Sequence, residues 1–114
     1  MVKVLIVIPT FNESESIAQL IARIVKVSDV VSNQYHLDVL VVDDNSPDGT
    51  ADFVNDAKYQ NVFVLSQDTK KGLASAYLAG FQWGLVRDYD FFMQMDGDLS
   101  HQPEQLVDLL NAAS

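Results

Sequence analysis

Apolar residues fall into two kinds of run along this chain. One kind is short, continuous and rich in β-branched residues: "VKVLIVI" at 2–8, "HLDVLVVD" at 36–43, "NVFVLSQ" at 61–67 and "YDFFMQM" at 89–95. Such runs read as strands, and the unbroken one at 2–8 as a strand covered on both faces, where the usual apolar–polar alternation is lost. The other kind recurs at helical spacing. Ile17, Leu20, Ile21, Ile24 and Val25 predict one helix, with Asn12 and Glu15 resembling a capping pair at its start. A short helix is expected from Thr50, with Ala51, Val54 and Ala57 inward. A longer one is predicted over 73–87, where Tyr77, Phe81 and Leu85 share a stripe and Tyr77, Phe81 and Trp83 read as core and rim. Pro103 suits the first turn of a last helix containing Leu106, Val107 and Leu110.

Four strand–helix units in series imply an α/β fold with a mostly parallel sheet and flanking helices. In such units every loop that follows a strand leaves at the same edge of the sheet. "PTFNE", "DDNSPDG" and "DGDLSH" all follow strands. They are therefore expected to converge where open α/β sheets bind ligands, at a switch in strand order.

Size and charge narrow the function. The 114 residues fit one domain, 1–114, and 48% of them are hydrophobic, enough for a core. Sixteen acids against seven bases give a net charge of −9, which argues against nucleic acid and against electrostatic attachment to anionic lipid. With no cysteine there is no disulfide and no thiolate metal site, and the compartment reads as cytoplasmic. The apolar part of "MVKVLIVIPTF" lacks a cleavage-like site, so a secretory signal is not expected. No stretch reaches the roughly 20 apolar residues of a membrane span.

Several polar residues carry two readings each. Asp96 and Asp98 flank Gly97; they suit a strand-ending turn, or two oxygen ligands for a hard cation such as Mg2+ or Mn2+. Asp43 and Asp44 close the second strand, as turn residues or with one carboxylate aimed at a ligand; adjacent strand residues point oppositely, so the two are not expected to share a target. Glu13 is either a partner for a helix N-terminus or a ligand contact. Lys70 and Lys71, before Gly72 and a helix, are solvated or meet a phosphate alongside helix amides. His101 is a weak metal-ligand candidate in a chain with two histidines. No dinucleotide glycine motif, P-loop or nucleophile elbow is present.

Taken together, "VIPTFNESESI", "VLVVDDNSPDGTAD", "KKGLASAYLAGFQWGL" and "QMDGDLSHQPEQL" resemble the inverting GT-A glycosyltransferases of family 2. More narrowly, they resemble dolichol- or polyprenol-phosphate mannosyltransferases. The resemblance implies the nucleotide-diphospho-sugar transferase (GT-A, Rossmann-like) fold, of which the chain would be the N-terminal portion. It implies GDP-mannose as donor, a polyprenol or dolichol phosphate as acceptor, and work at the cytoplasmic face of a membrane. Carried over by position, Pro9, Phe11, Glu13, Val42 and Asp44 would line the nucleoside pocket. Asp96, Gly97 and Asp98 would meet the diphosphate, with Asp96 and Asp98 as the catalytic acids that hold magnesium or manganese.

The chain departs from that family's pattern in places. Phe11 stands where tyrosine is usual, Ala74 where glycine is common, and Gly97 where alanine is frequent. The family's catalytic domain also continues beyond "HQPE", so the expectation is a part of a longer protein, whose fourth strand would offer an open edge for homodimer formation. The competing reading is a response-regulator-like receiver domain, since "VLVVDDN" and "FFMQMDGD" resemble its acidic strand ends. Against it, a full β–α unit precedes the acid pair. Two further alternatives keep the fold: a donor-binding half-domain without activity, and glucose in place of mannose.

Overall fold

The computed structural model describes residues 1–68, 71–96 and 106–113. The elements are β1 (Val2–Thr10), α1 (Ser14–Val31), β2 (Tyr35–Asp43), α2 (Thr50–Ala57), β3 (Val62–Ser66), α3 (Leu73–Leu85), β4 (Phe91–Gln94) and α4 (Leu106–Ala113). All four strands are parallel, in the order β3-β2-β1-β4. The first strand sits between two partners, running from the pair Val2–Tyr35 to Thr10–Asp43 on one side and from Val4–Phe91 to Val7–Gln94 on the other. That position explains its unbroken apolar run: Val4 to Ile8 are all fully buried.

Period-two alternation sorts these side chains into two cores. Val4, Ile6 and Ile8, with Leu37, Val39 and Val41, pack under α1, α2 and Leu110 of α4. Leu5, Val7, Leu40 and Val42 pack under α3. Helix α1 buries Ile17, Leu20, Ile21, Ile24, Val27 and Val31. Val25, expected on that stripe, is exposed at its rim, and Val27 occupies the inward position instead. In α2, Thr50 and Val54 are buried while Ala57 is exposed, against expectation; Ala57 lies in the last turn, where Lys58 adopts a φ of 53° and turns the chain away.

Helix α3 approaches the sheet through its smallest residues. Ala76, Gly80 and Gly84 form the buried row, one position ahead of the predicted Tyr77–Phe81–Leu85 stripe. Leu85 is consequently exposed. A Cβ added at Gly80 would come 2.5 Å from Val7 Cγ1, so the helix backbone lies almost against the strand. The aromatic rings flank this contact. Tyr77 stacks with Phe81, and Phe81 meets Phe92 edge-on at 5.8 Å.

The fourth strand is shorter than its apolar run. Tyr89 precedes it and donates its hydroxyl to Asp38 Oδ2 at 2.6 Å, with His36 Nε2 2.7 Å from the other oxygen. Burial, then the Asp38 carboxylate, push the Tyr89 hydroxyl well above the usual tyrosine range. In a receiver domain the strand bearing the acid pair neighbours the one bearing the phosphoacceptor. Here β1 lies between β2 and β4, which is a different order. Among the described residues, no helix is long and apolar enough to cross a membrane.

Candidate functional site

Strand order reverses between β1 and β4: β2 and β3 extend the sheet one way and β4 the other. The C-terminal ends of β1 and β4 therefore flank a topological switch point. Among the described residues, the loops after β1 and β2 meet at this edge, and their hydrogen bonds show how.

Asp43 and Asp44 serve different partners, as their opposite directions require. Asp43, buried, accepts from the Thr10 hydroxyl at 3.0 Å and from both the N–H and the hydroxyl of Ser46. It joins the ends of β1 and β2 and closes the turn after β2. Asp44, also buried, reaches forward to the start of α3. Its Oδ1 accepts the Lys71 N–H at 2.7 Å and its Oδ2 the Gly72 N–H at 2.9 Å. Gly72 has a φ of 93°, a conformation that side chains rarely adopt, and this turns both amides toward one carboxylate. Asp44 already takes the Lys71 and Gly72 amides, so these two are not left for a phosphate. Lys70 lies outside the described residues.

The loop after β1 is latched to the loop after β2. Asn12, at a φ of 54°, donates its N–H to Ser46 Oγ at 2.9 Å. The Ser14 N–H, the first of α1, donates to Asp48 Oδ2 at 3.3 Å. Asp48 also accepts the N–H of Thr50 at 3.0 Å and its hydroxyl at 2.5 Å. The start of α1 is thus capped from another loop; the predicted Asn12–Glu15 pair does not form that cap, and Glu13 is the N-cap residue without a side-chain cap bond. Slight desolvation pushes the exposed Asp48 carboxyl up, but the bonds from Thr50 and Ser14 outweigh it and hold it below the usual carboxylate range.

At the same edge lies an open cavity of about 270 Å³ lined by Pro9, Thr10, Phe11, Glu13, Asp44, Gly72, Leu73 and Ala76. Four of the sequence-predicted residues, Pro9, Phe11, Glu13 and Asp44, come together here. Glu13 Oε1 accepts the Phe11 N–H at 3.0 Å, which holds the short loop closed. Val42 is fully buried beneath α3 and is not part of the lining. Asp96 follows β4 on the other flank of the switch point. It accepts a hydrogen bond from the Tyr77 hydroxyl through Oδ1 at 3.3 Å. Burial first, then the Asp96 charge and hydrogen bond, raise the Tyr77 hydroxyl above its ordinary range, so it stays a donor. Gly97, Asp98 and His101 lie outside the described residues.

Among the described residues no group of three or more His, Cys, Asp or Glu is set to hold a metal ion. The donor chemistry nevertheless suits one. Magnesium-type cations take oxygen ligands and are often held by one or two carboxylates plus the substrate's phosphates. Asp96 offers such a carboxylate beside the cavity. Ser46, Asp48, Thr50 and Tyr77 are the working residues that sequence reasoning passed over. The serine and threonine lay in plain turn vocabulary, and Tyr77 carried no signal beyond a polar tip on an otherwise apolar helix.

Comparison with known proteins places the chain in a family. The family model described as glycosyl transferase family 2 matches residues 5–114. An undecaprenyl-phosphate mannosyltransferase from Micrococcus luteus is 51% identical over 112 residues, covering 96% of this chain and 44% of the relative. A polyprenol monophosphomannose synthase from Mycolicibacterium smegmatis is 44% identical, covering 96% and 40%. This chain thus spans less than half the length of either. A solved mannosyltransferase from Pyrobaculum calidifontis, in complex with GDP-Man and Mn2+, superposes with a TM-score of 0.66 at 22% identity, over 91% of this chain and 30% of that one, and so shares the fold. With almost its whole length matched by the family model, the chain belongs to glycosyl transferase family 2.

Proposed function

We propose that this chain is the donor-binding part of an inverting glycosyltransferase that moves mannose from GDP-mannose to a polyprenol phosphate, at the cytoplasmic face of a membrane. The observation that carries the reading is the cavity where Pro9, Phe11, Glu13 and Asp44 meet beside the β1–β4 switch point. The names of the two bacterial relatives support the sugar and the lipid, and the bound GDP-Man of the solved neighbour supports the donor.

In this reading the Phe11 ring and Pro9 offer an apolar surface to the nucleoside. Glu13 and Asp44 accept hydrogen bonds from its N–H and O–H groups. Each Asp44 oxygen already takes one amide, and a carboxylate oxygen has a second lone pair to give. By the family resemblance, Asp96 and Asp98 would meet the diphosphate and hold a divalent metal. Bound there, Mg2+ or Mn2+ would supply Lewis acidity to the diphosphate as negative charge grows on it. The acceptor phosphate is largely ionised at neutral pH, with a second pKa of about 6, so it attacks without a strong base from the protein. Attack from the face opposite the leaving group inverts the anomeric carbon.

Calorimetric titration of GDP, GDP-mannose and UDP-glucose, each with and without Mn2+, tests this. The guanosine ligands should bind, and more tightly with manganese. Asp98→Ala should lose the manganese-dependent share of affinity with its circular dichroism unchanged. Equal donor affinity in mutant and parent, or no binding of GDP, overturns the reading. Binding without transfer of labelled mannose to polyprenol phosphate would instead identify a donor-binding half-domain.

A further inference from the structure

Helix α3 touches both acidic flanks of the site. At its start, the amides of Lys71 and Gly72 are held by Asp44, at the end of β2. One turn further along, Tyr77 donates its hydroxyl to Asp96, at the end of β4. On either side of Tyr77 the helix is seated on the sheet, with Ala76 and Gly80 buried against it and no room for an added methyl at Gly80. The Tyr77 ring is itself half-buried and stacked on Phe81, so its hydroxyl has few places to go.

We infer that Tyr77 is a positioning residue: it sets the orientation of the Asp96 carboxylate from α3, and so links the nucleoside side of the site to the diphosphate side. This rests on the reading of Asp96 proposed above and deepens it. A carboxylate directed at a cation is rarely left to turn freely, since a partner that fixes its plane lowers the cost of ordering it on binding. The 3.3 Å separation is long for an O–H···O bond. Site hydrogen bonds are often long before the ligand arrives and tighten on loading, so the Tyr77–Asp96 bond is expected to shorten when the diphosphate binds. No step of the chemistry passes through the phenol. Its task is to hold Asp96 where a cation and a diphosphate can meet it.

The test is a double-mutant cycle on Mn2+-dependent GDP binding by this chain, measured by calorimetry, with parent, Tyr77→Phe, Asp96→Asn and the double variant. Tyr77→Phe removes one hydroxyl and keeps the ring on Phe81, and thermal melts monitor the fold of each variant. Tyr77→Phe is expected to weaken manganese-dependent GDP binding by about ten-fold, the lower end of what outer-shell partners of metal ligands cost. The same change should have no further effect in the Asp96→Asn background. Equal losses in both backgrounds, or no loss in either, overturns the positioning role. If Asp96→Asn itself leaves the manganese dependence intact, it is the proposed role of Asp96 that fails, and the inference falls with it. If Asp96→Asn abolishes that dependence while Tyr77→Phe does nothing, only the inference fails.

Discussion

Asp43 gives its carboxylate to Thr10 and Ser46, whereas Asp44 takes the amides of Lys71 and Gly72. Strand alternation alone implies that the two point apart, and that much is readable from "VVDD". Their partners are not, because they lie up to 33 residues distant along the chain and are chosen by the fold. Asp48 makes the same point. In sequence it is one more turn residue, yet it caps α1 from outside and organises Thr50. Its carboxyl is held below the usual range when folded, so its contribution is present above the unfolded value of about 3.9 and fades as pH falls through the folded value. Asp48→Asn should therefore melt at lower temperature than the parent near neutral pH. The gap should narrow as the buffer is taken towards about pH 3, as followed by thermal denaturation. A gap independent of pH would show that the charge is not what the latch uses.

At the level of elements, β1, β2 and α1 were legible because their patterns obey one period each. The first run read as a strand buried on both faces, and β1 is so from Val4 to Thr10, whereas β3 and β4 at the sheet edges are only partly buried. Helix α3 was harder. It is apolar nearly all round, so no stripe identifies its inward side, and the bulky residues drew attention to the row beside the true one. The inward row is Ala76, Gly80 and Gly84, where small size permits contact rather than filling space. Gly80→Ala should accordingly destabilise the fold despite the better helix propensity of alanine. The new methyl would collide with Val7, a fully buried residue of the central strand that cannot step aside. Overpacking of this kind costs about 1–3 kcal/mol. Urea titration should show a lower midpoint with an unchanged slope. A midpoint equal to or above the parent's would mean that α3 can lift without penalty.

For the molecule as a whole, a parallel sheet with converging loops follows from four strand–helix repeats, and among the described residues the loops after β1 and β2 do meet. The strand order was not legible, because repeats of this kind build several orders, and only the β1–β4 pairing reveals the switch point. That order leaves β4 at one edge of the sheet, paired among the described residues with β1 alone. Among the described residues nothing pairs with its other side, and an edge of that kind presents backbone groups that recruit another strand. Light scattering of this chain should show an apparent mass that rises with concentration, and a mass that stays monomeric throughout would rule this association out. The tight seat of α3 has a wider reach. Gly84 is remote from the cavity, roughly 18 Å from Gly72 at 1.5 Å per residue along the helix. A methyl inserted at Gly84 would nonetheless work like a shim under the far end of a rigid beam, meeting Phe92 and Leu5 there and tilting Leu73 at the cavity mouth. A substitution at one of the smallest residues of the helix can thus be felt at the cavity, far along the chain from where it was made.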